Sequence, residues 1–561
     1  MRYFEVFSAL VAASALASAP ASAQGERVAY AGDFPACDGY EAPGRTTDGI
    51  SHGVSALSSF MMGGTESSQI RRSEPVYGPE GIPTCTVALN YRWMLPEYRL
   101  RRASLLEARG MHRLASGDAP GAIADFDLAR ESAGTGDPLT DRSFLLGLRL
   151  ARAYAQLKAG DTAGAAREAQ AVIAARPYDN RLAQMAAQLQ FTAARDWPVY
   201  VRNLREISRI DPNLIAFLYT IAFSQGEFDE VIALRPNVLL NTPPAPTGNY
   251  QMPGRNAVLA ETAVRQAVID GIHAYALQTR GRNADADAAL AAARAGLARA
   301  MAEPPLEPAH RGLTRSQRDQ YAAMLARRPE AEAAIEEWAR MVRLRRLVAE
   351  GNVAAVIADL ESRRIAPDSA ALDLFSAMAR AQPALAADMS AMMDRLRHDI
   401  ASQIDRALDL SVKDLAGRLP EPESMQRMPS YDSGGSPLDA NGYSSLPGRI
   451  GLSTQIIRFA SGRGSVSVAN EMALLRAADL ARRSGSHGLI VLRRGYVVRT
   501  TTIYGYGAGI MPSGQEVEIE VAFVDPATLP SAYADAGWRV LDPNVIWAAL
   551  SPIYVRQGQA R

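Results

Sequence analysis

The amino-acid sequence predicts a mostly α-helical protein, an α-solenoid of helical hairpins followed by a small α+β domain. From residue 99 to about residue 419 the chain is rich in alanine, leucine and arginine, which favour helices. Within this stretch, a pattern of small residues around a Gly-Asp turn occurs twice. After residue 449 the spacing of the apolar residues changes from the period of helices to that of strands.

The composition limits the classes of protein to be considered. Of the 561 residues, 48% are apolar and 21% are charged, so the chain can bury several cores and is not of a disordered type. Sixty basic residues balance sixty acidic residues, so the net charge gives no attraction to nucleic acid. We therefore expect no nucleic-acid partner.

Residues 1–23 have the pattern of a secretory signal peptide. Arg2 precedes an apolar stretch from Val6 to Ala19, and residues 21–23 fit the small-x-small rule for cleavage. An uncleaved anchor is the alternative, but the apolar stretch is shorter than the ~20 residues that a spanning helix needs. We expect a periplasmic protein that is cleaved near Ala23 and has no integral membrane span afterwards.

Residues 24–98 are rich in turn-forming residues and are expected to form an irregular segment. This segment contains the two cysteines of the chain, Cys37 and Cys85. Because an exported protein with an even number of cysteines favours a disulfide, we predict a Cys37–Cys85 bridge. In the chain-entropy model, closing a loop of this size stabilises the fold by about 4 kcal/mol.

Two hairpin units account for the repeated pattern. The first unit comprises Arg109-Gly110, Gly117-Asp118, Ala122, Phe126 and Ala129, and the second comprises Arg152-Ala153, Gly160-Asp161, Ala165, Ala169, Val172 and Pro177. This pattern resembles that of the tetratricopeptide-repeat family. The resemblance covers residues 99–235, with degenerate copies to about residue 419, and implies stacked helical pairs whose first helices line a binding groove.

Some positions depart from the pattern of this family. Arg113 and Gln156 stand in the first helices where a large packing residue is expected. A third unit fits the register with Arg195-Asp196 at its turn, but Tyr200 replaces the small residue at its helix crossing. A fourth unit turns at Gly226-Glu227 and ends at Pro236.

The resemblance implies six groove residues, three in each of the first two units. These are Glu107, Met111, Leu114, Leu150, Tyr154 and Leu157. Tyr154 is the preferred contact, because tyrosine is enriched among interface hot spots. Met111 at the matching position offers an adaptable apolar surface. The alternative is that these side chains pack between repeats, and a shift of two residues in the first helices would place Met111 and Tyr154 in that role.

The rest of the chain divides at proline-rich stretches. Residues 236–255 form a break, residues 256–419 form degenerate helical repeats, and residues 420–448 form a linker rich in proline, glycine and serine. Residues 449–561 then form the small α+β domain with a terminal helix. Its predicted order is β-α-β-β, with the helix at 467–484 covering one face of the sheet.

The last domain resembles a family of small proteobacterial envelope lipoproteins of unknown function. The residues that carry the resemblance are Gly442-Tyr443-Ser444 and the helical sequence from Leu475 to Leu480. The lipoprotein cysteine is absent, so the resemblance does not imply an anchor here.

The sequence shows no constellation of catalytic or metal-binding residues. Residues 49–53 match G-x-S-x-G, but no buried strand precedes the serine, as a nucleophile elbow requires. None of the six histidines has a partner at the spacing of a zinc site. We therefore expect no catalytic residue, no metal and no cofactor. Four arginines at the start of the repeats, which could receive a carboxylate or form a solvated helix face, are Arg99, Arg101, Arg102 and Arg109.

Taken together, these features favour an exported protein-binding scaffold of the bacterial cell envelope. Its helical-repeat groove would bind a protein or peptide of the envelope. The alternative is an envelope hydrolase, or a regulatory subunit of one, with the active region in residues 440–530. Against it stand the single histidine of that region and the carboxylates of Glu516, Glu518 and Glu520, which are expected to face solvent. A surface-layer or secretion component is a third possibility, and the oligomeric state is left open.

Overall fold

The computed structural model describes residues 29–45, 48–50, 75–238, 255–301, 326–420, 442–448, 454–461, 466–503 and 509–555, with a few single residues between these ranges. The predicted signal peptide lies outside the described residues, as do most of the proline-rich break and of the linker. The described residues form twenty α-helices and one four-stranded antiparallel sheet near the carboxyl terminus. The predicted class, mostly α with a small α+β part, is therefore confirmed.

The helices of the first half form consecutive antiparallel pairs. Their bounds are α1 (Asp33–Cys37), α2 (Gly81–Leu89), α3 (Arg99–Ala115), α4 (Ala119–Ala133), α5 (Pro138–Arg142), α6 (Phe144–Lys158), α7 (Thr162–Ala175), α8 (Asn180–Ala194), α9 (Trp197–Ile210), α10 (Ile215–Ser224) and α11 (Phe228–Leu234). The main pairs are α3 with α4, α6 with α7, α8 with α9, and α10 with α11.

Four helices of the second half are longer than any helix of the first half. The bounds of the helices in this half are α12 (Arg255–Thr279), α13 (Asn283–Met301), α14 (Arg328–Ala349), α15 (Val353–Ser362), α16 (Ser369–Ala381), α17 (Ala386–Leu408) and α18 (Val412–Arg418). None of the helices in the described ranges is long and apolar enough to cross a membrane.

Each Gly-Asp turn connects the two helices of a hairpin through the backbone conformation of its glycine and the side chain of its aspartate. Gly117 and Gly160 have φ values of +82° and +88°, in the left-handed region that glycine adopts without strain. The aspartates that follow them, Asp118 and Asp161, cap the second helix of each pair by accepting a hydrogen bond from the main-chain N–H three residues later. Each turn thus ends one helix and starts the next.

The helices of the first pair approach closely at a glycine. A Cβ atom added to Gly110 would lie 2.5 Å from the ring of Phe126 on the neighbouring helix, so this crossing requires a residue without a side chain. Arg113 and Gln156, the polar residues that depart from the family pattern, form hydrogen bonds at the turns. Arg113 donates a 2.8 Å hydrogen bond to the carbonyl of Gly121, and the Gln156 amide lies 3.3 Å from Asp161.

The third pair also has a positive φ at its turn and a close contact at its helix crossing, but with different residues at both positions. Arg195 stands at the turn with a φ of +55°, and it is the single non-glycine residue with positive φ in the described ranges. Tyr200, at the position of a small residue, is buried and stacks on Phe191 with 4.8 Å between ring centroids. The helices of this pair are therefore held by an aromatic contact rather than by close backbone approach.

The amino-terminal segment packs on the first repeat helix. Cys37 of α1 and Cys85 of α2 form the predicted disulfide. The buried guanidinium of Arg101 pairs with Asp38, and the buried ring of His112 lies 3.0 Å from the carbonyl of Cys37. The segment was expected to be irregular but contains two short helices, which carry no side-chain cap and are held by the disulfide and these contacts.

The α+β part has one strand more than expected. Its elements are β1 (Gly442–Pro447), β2 (Thr454–Ser461), α19 (Val466–Arg483), β3 (Gly488–Ile503), β4 (Gly509–Val524) and α20 (Pro543–Tyr554). The sheet order is β1-β2-β4-β3 with every neighbouring pair antiparallel. The predicted order β-α-β-β was wrong because it lacks β1. This strand is short and largely exposed, lies at the edge of the sheet and contains two serines and a proline, so its sequence does not have the pattern of a buried strand.

Both faces of this sheet are at least partly covered. The helix α19 covers one face, as predicted. On the other face a 3₁₀ segment (Ser531–Arg539) packs Ala536 near Ile490 and Leu492. The expectation that Glu520 faces solvent was wrong, since its side chain is buried and accepts a 3.2 Å hydrogen bond from the Thr454 hydroxyl.

Candidate functional site

The face of the array formed by α3, α6 and α8, called here the first-helix face, carries all six residues that the sequence assigned to a groove. Met111, Leu114, Leu150 and Tyr154 are buried, whereas Glu107 and Leu157 are half-buried. Another part of the same chain lies on this face and shares an apolar cluster with these buried residues.

Residues 408–420, called here the strap, run along the first-helix face. The strap comprises the end of α17, the short helix α18 and the residues up to Pro420. Its side chains of Leu410, Leu415 and Leu419 are buried in the same apolar cluster as Met111 and Tyr154. The groove positions thus contact a leucine-bearing segment of polypeptide.

Polar side chains of the array bind the main chain of the strap. The hydroxyl of Tyr154 donates a 2.6 Å hydrogen bond to the carbonyl of Leu410. The side-chain amide of Gln188 donates a 2.9 Å bond to the carbonyl of Leu408, and Arg181 donates a 3.1 Å bond to that of Gly417. All three acceptors are main-chain carbonyls, so these bonds do not depend on the side chains of the strap.

Tyr154 is held in its neutral, donating form. Burial raises the pKa of its hydroxyl, while the ammonium of Lys158, 5.1 Å from the centre of the ring, opposes that rise. A neutral phenol is the form that can donate to a carbonyl, so the site keeps this contact over the physiological pH range.

The strap ends in a closely fitted corner. A Cβ atom added to Gly147 of α6 would lie 2.9 Å from the Cδ atom of Pro420, so the first-helix face requires a glycine where the strap leaves it. A cavity of only about 20 Å³ remains between the strap and α3, lined by Ser104 and Glu107 among others. The strap thus lies close to α3 at this corner.

A larger cleft lies beside the strap, beneath α17. Its volume is about 600 Å³, and it is lined by Ile400 and Ile404 of α17 together with Phe191, Trp197 and Arg195 of the third pair. The helix that leads into the strap thus borders a cleft on one side.

The α+β part binds a different edge of the array. The carboxylate of Glu471 on α19 is fully buried and accepts two 3.0 Å hydrogen bonds from Arg176, one of 2.8 Å from Arg142 and one of 2.5 Å from the hydroxyl of Tyr554. Burial opposes ionisation, but the guanidinium groups of Arg176 and Arg142 outweigh it and lower the pKa of Glu471. The α+β part is thus fixed to the array by a buried charged network.

Two of the arginines singled out from the sequence have structural partners. Arg101 is buried against Asp38, and Arg109 binds both oxygens of Asp125 at 2.9 and 2.6 Å, so these two arginines do not form an open anion site. His487 is exposed in the turn before β3. The described residues contain no group of three or more histidines, cysteines or carboxylates placed to hold a metal ion.

Sequence reasoning missed the strap and the Glu471 network. One available signal was the apolar row of Leu396, Ile400, Ile404 and Leu408, whose spacing of four indicates a helix that buries one face. That spacing does not say which surface is covered. A comparison of the chain with protein-family models and with curated proteins found no match to either.

Proposed function

We propose that this protein is an exported scaffold of the bacterial cell envelope, whose first-helix face binds a segment of a partner protein. The observation that carries the proposal is that this face binds a segment of polypeptide through three main-chain carbonyls and three buried leucines. Main-chain bonds give affinity that is independent of sequence, and apolar pockets give selectivity. The tetratricopeptide-like repeats predicted from the sequence agree with such a role.

Export is supported by two separate features. Residues 1–23 have the pattern of a signal peptide. The structure adds a buried disulfide between Cys37 and Cys85, and disulfides persist mainly in oxidising compartments such as the periplasm. Mass spectrometry of the protein from a periplasmic fraction tests this, with a mature chain that begins at Gln24 as the expected result. A chain that keeps residues 1–23 in the cytoplasm would contradict export.

The alternative of an envelope hydrolase in residues 440–530 receives no support from a contact among the described residues. Glu518 is paired with Arg458 at 2.6 Å, and Glu520 is buried. One carboxylate is thus engaged in an ion pair and the other is withdrawn from solvent, whereas a general acid or base has to reach a substrate.

Photo-crosslinking in cells tests the scaffold function directly. A photoreactive residue is placed at Leu157, which is half-buried at the first-helix face, and in a matched control at Leu128, which is 47% exposed on the second helix α4. We expect a covalent adduct with another envelope protein from position 157 and none from position 128. Equal adducts from both positions, or none from position 157, would contradict partner binding at this face.

A further inference from the structure

We propose that the strap is an internal ligand that keeps the first-helix face closed, and that the partner is a peptide segment of the same chemistry. That segment carries three leucines at spacings of five and four residues, as Leu410, Leu415 and Leu419 do, around a short helix. This inference rests on the proposed function and adds the nature of the partner and the means of regulation.

The strap has the properties of a bound peptide rather than of a repeat helix. Its helix α18 has only seven residues and makes no antiparallel pair with a neighbour in the array. Its contacts come instead from three successive first helices, through Met111 of α3, Tyr154 of α6 and Gln188 of α8. A segment that contacts three successive repeats without pairing with any one helix is held as a ligand of the array.

The strap is attached by interactions that a competitor can replace one by one. Within the part of the chain that the structure describes, no ion pair joins residues 408–420 to the array, and its hydrogen bonds come from side chains that would donate equally to another peptide. The nearest ion pair, Arg195 with Asp405 of α17, is about half exposed on both sides. The α+β part is attached differently, through the buried charges of Glu471 and Arg176.

The surroundings of the strap favour its release as a unit. The cleft of about 600 Å³ runs along one side of α17, the helix that leads into the strap. Helix α17 contacts the rest of the chain mainly through α16, and its outward residues are exposed. Displacement of the strap would therefore expose the first-helix face without separating the α+β part from the array.

Because the strap belongs to the same chain, its effective concentration is high and an added peptide competes poorly with it. Weakening the strap should then reveal the affinity of the face. The probe is a fluorescent synthetic peptide of residues 406–422, and its binding to the full-length protein is measured by anisotropy. The released variant carries Leu415→Ser and Leu419→Ser, and the matched control carries Lys413→Gln and Arg418→Gln at exposed positions of the same segment.

We expect the affinity of the released variant for the peptide to be at least about tenfold higher than that of the unaltered protein and of the control. Adding Tyr154→Phe to the released variant should weaken binding again. If the released variant is folded and binds no peptide, the proposed binding face is wrong. If all proteins bind equally well, the face binds peptides but the strap does not regulate it.

A second measurement needs no variant of the strap. In the unaltered protein, a saturating excess of the peptide should accelerate amide hydrogen exchange in residues 412–419, while exchange in α19 stays the same. Unchanged exchange in residues 412–419 at saturation would overturn the proposal that the peptide displaces the strap.

Discussion

The hydroxyl of Tyr154 donates a 2.6 Å hydrogen bond to the carbonyl of Leu410, a residue that lies 256 positions later in the chain. The sequence singled out Tyr154 as a contact for a partner, and the structure shows it in contact with a segment of its own polypeptide. This bond therefore reports on whether the strap is seated on the first-helix face.

Replacing Tyr154 with phenylalanine removes this hydroxyl and leaves the ring in place. The loss of one hydrogen bond, with a buried carbonyl left unpaired, should cost about 1–3 kcal/mol of strap attachment. We expect faster amide exchange in residues 412–419 and little change in α19. Tyr30→Phe, at a tyrosine that is largely exposed, serves as the control. Unaltered exchange in the strap of the Tyr154→Phe variant would show that the bond does not hold it.

Arg195 offers a test of backbone strain at a repeat turn. Its φ of +55° lies in the region that costs about 1–2 kcal/mol for a residue with a side chain, whereas the equivalent positions of the first two units are glycines. Arg195→Gly and Arg195→Ala lose the same exposed ion pair with Asp405, which is worth about 0–1 kcal/mol. We therefore expect the glycine variant to unfold at a higher denaturant concentration than the alanine variant. Equal midpoints would show that the strain is absent.

Local features of the hairpins could be predicted from the sequence because their causes are local. The Gly-Asp turns at Gly117 and Gly160 each depend on one positive φ and one capping carboxylate within a few residues. The position of the strap on the first-helix face and the burial of Glu471 could not be predicted from local sequence features. Leu415 meets residues of α3 and α6 far earlier in the chain, and Glu471 meets Arg176 across 295 positions. Contacts between residues so far apart in the chain do not produce a periodic pattern in the sequence around either residue.

Glu471 should make the attachment of the α+β part sensitive to acid. The pKa of Glu471 is lowered in the folded protein. The ionised carboxylate therefore contributes its full stability above the pKa of an unperturbed glutamate, 4.5, and this contribution is lost as the pH falls further. Glu471→Gln removes the carboxylate that accepts two hydrogen bonds from the buried guanidinium of Arg176, although Asp179 remains 3.4 Å from that guanidinium. The change should cost at most about 3–5 kcal/mol at neutral pH. Amide exchange in α19 measures the effect.

The control for this variant is Glu332→Gln, which breaks an exposed pair with Arg328 and should change stability by at most about 1 kcal/mol. The Glu471→Gln protein should also lose less stability than the unaltered protein when the pH is lowered below 4.5. An identical acid dependence in the two proteins would mean that Glu471 does not anchor the α+β part.

His273 on α12 should produce a second acid response, in a higher pH range. Burial of its ring, together with the nearby guanidinium of Arg235, lowers its pKa from 6.5 to about 4. Between these values the folded protein binds fewer protons than the unfolded chain, so stability falls as the pH is lowered from about 6.5 to about 4. The total loss is at most about 3 kcal/mol, and it is smaller to the extent that water screens the half-buried ring.

His273→Gln removes the titrating group and keeps a polar side chain of similar size, so its unfolding midpoint should vary less between pH 6.5 and pH 4. His398→Gln, at an exposed histidine of α17, should retain the pH dependence of the unaltered protein. The pH range of the His273 response lies above that of the Glu471 response. A double variant, His273→Gln with Glu471→Gln, should therefore show a weaker pH dependence of stability in both ranges. If His273→Gln leaves the slope between pH 6.5 and pH 4 intact, another group causes it.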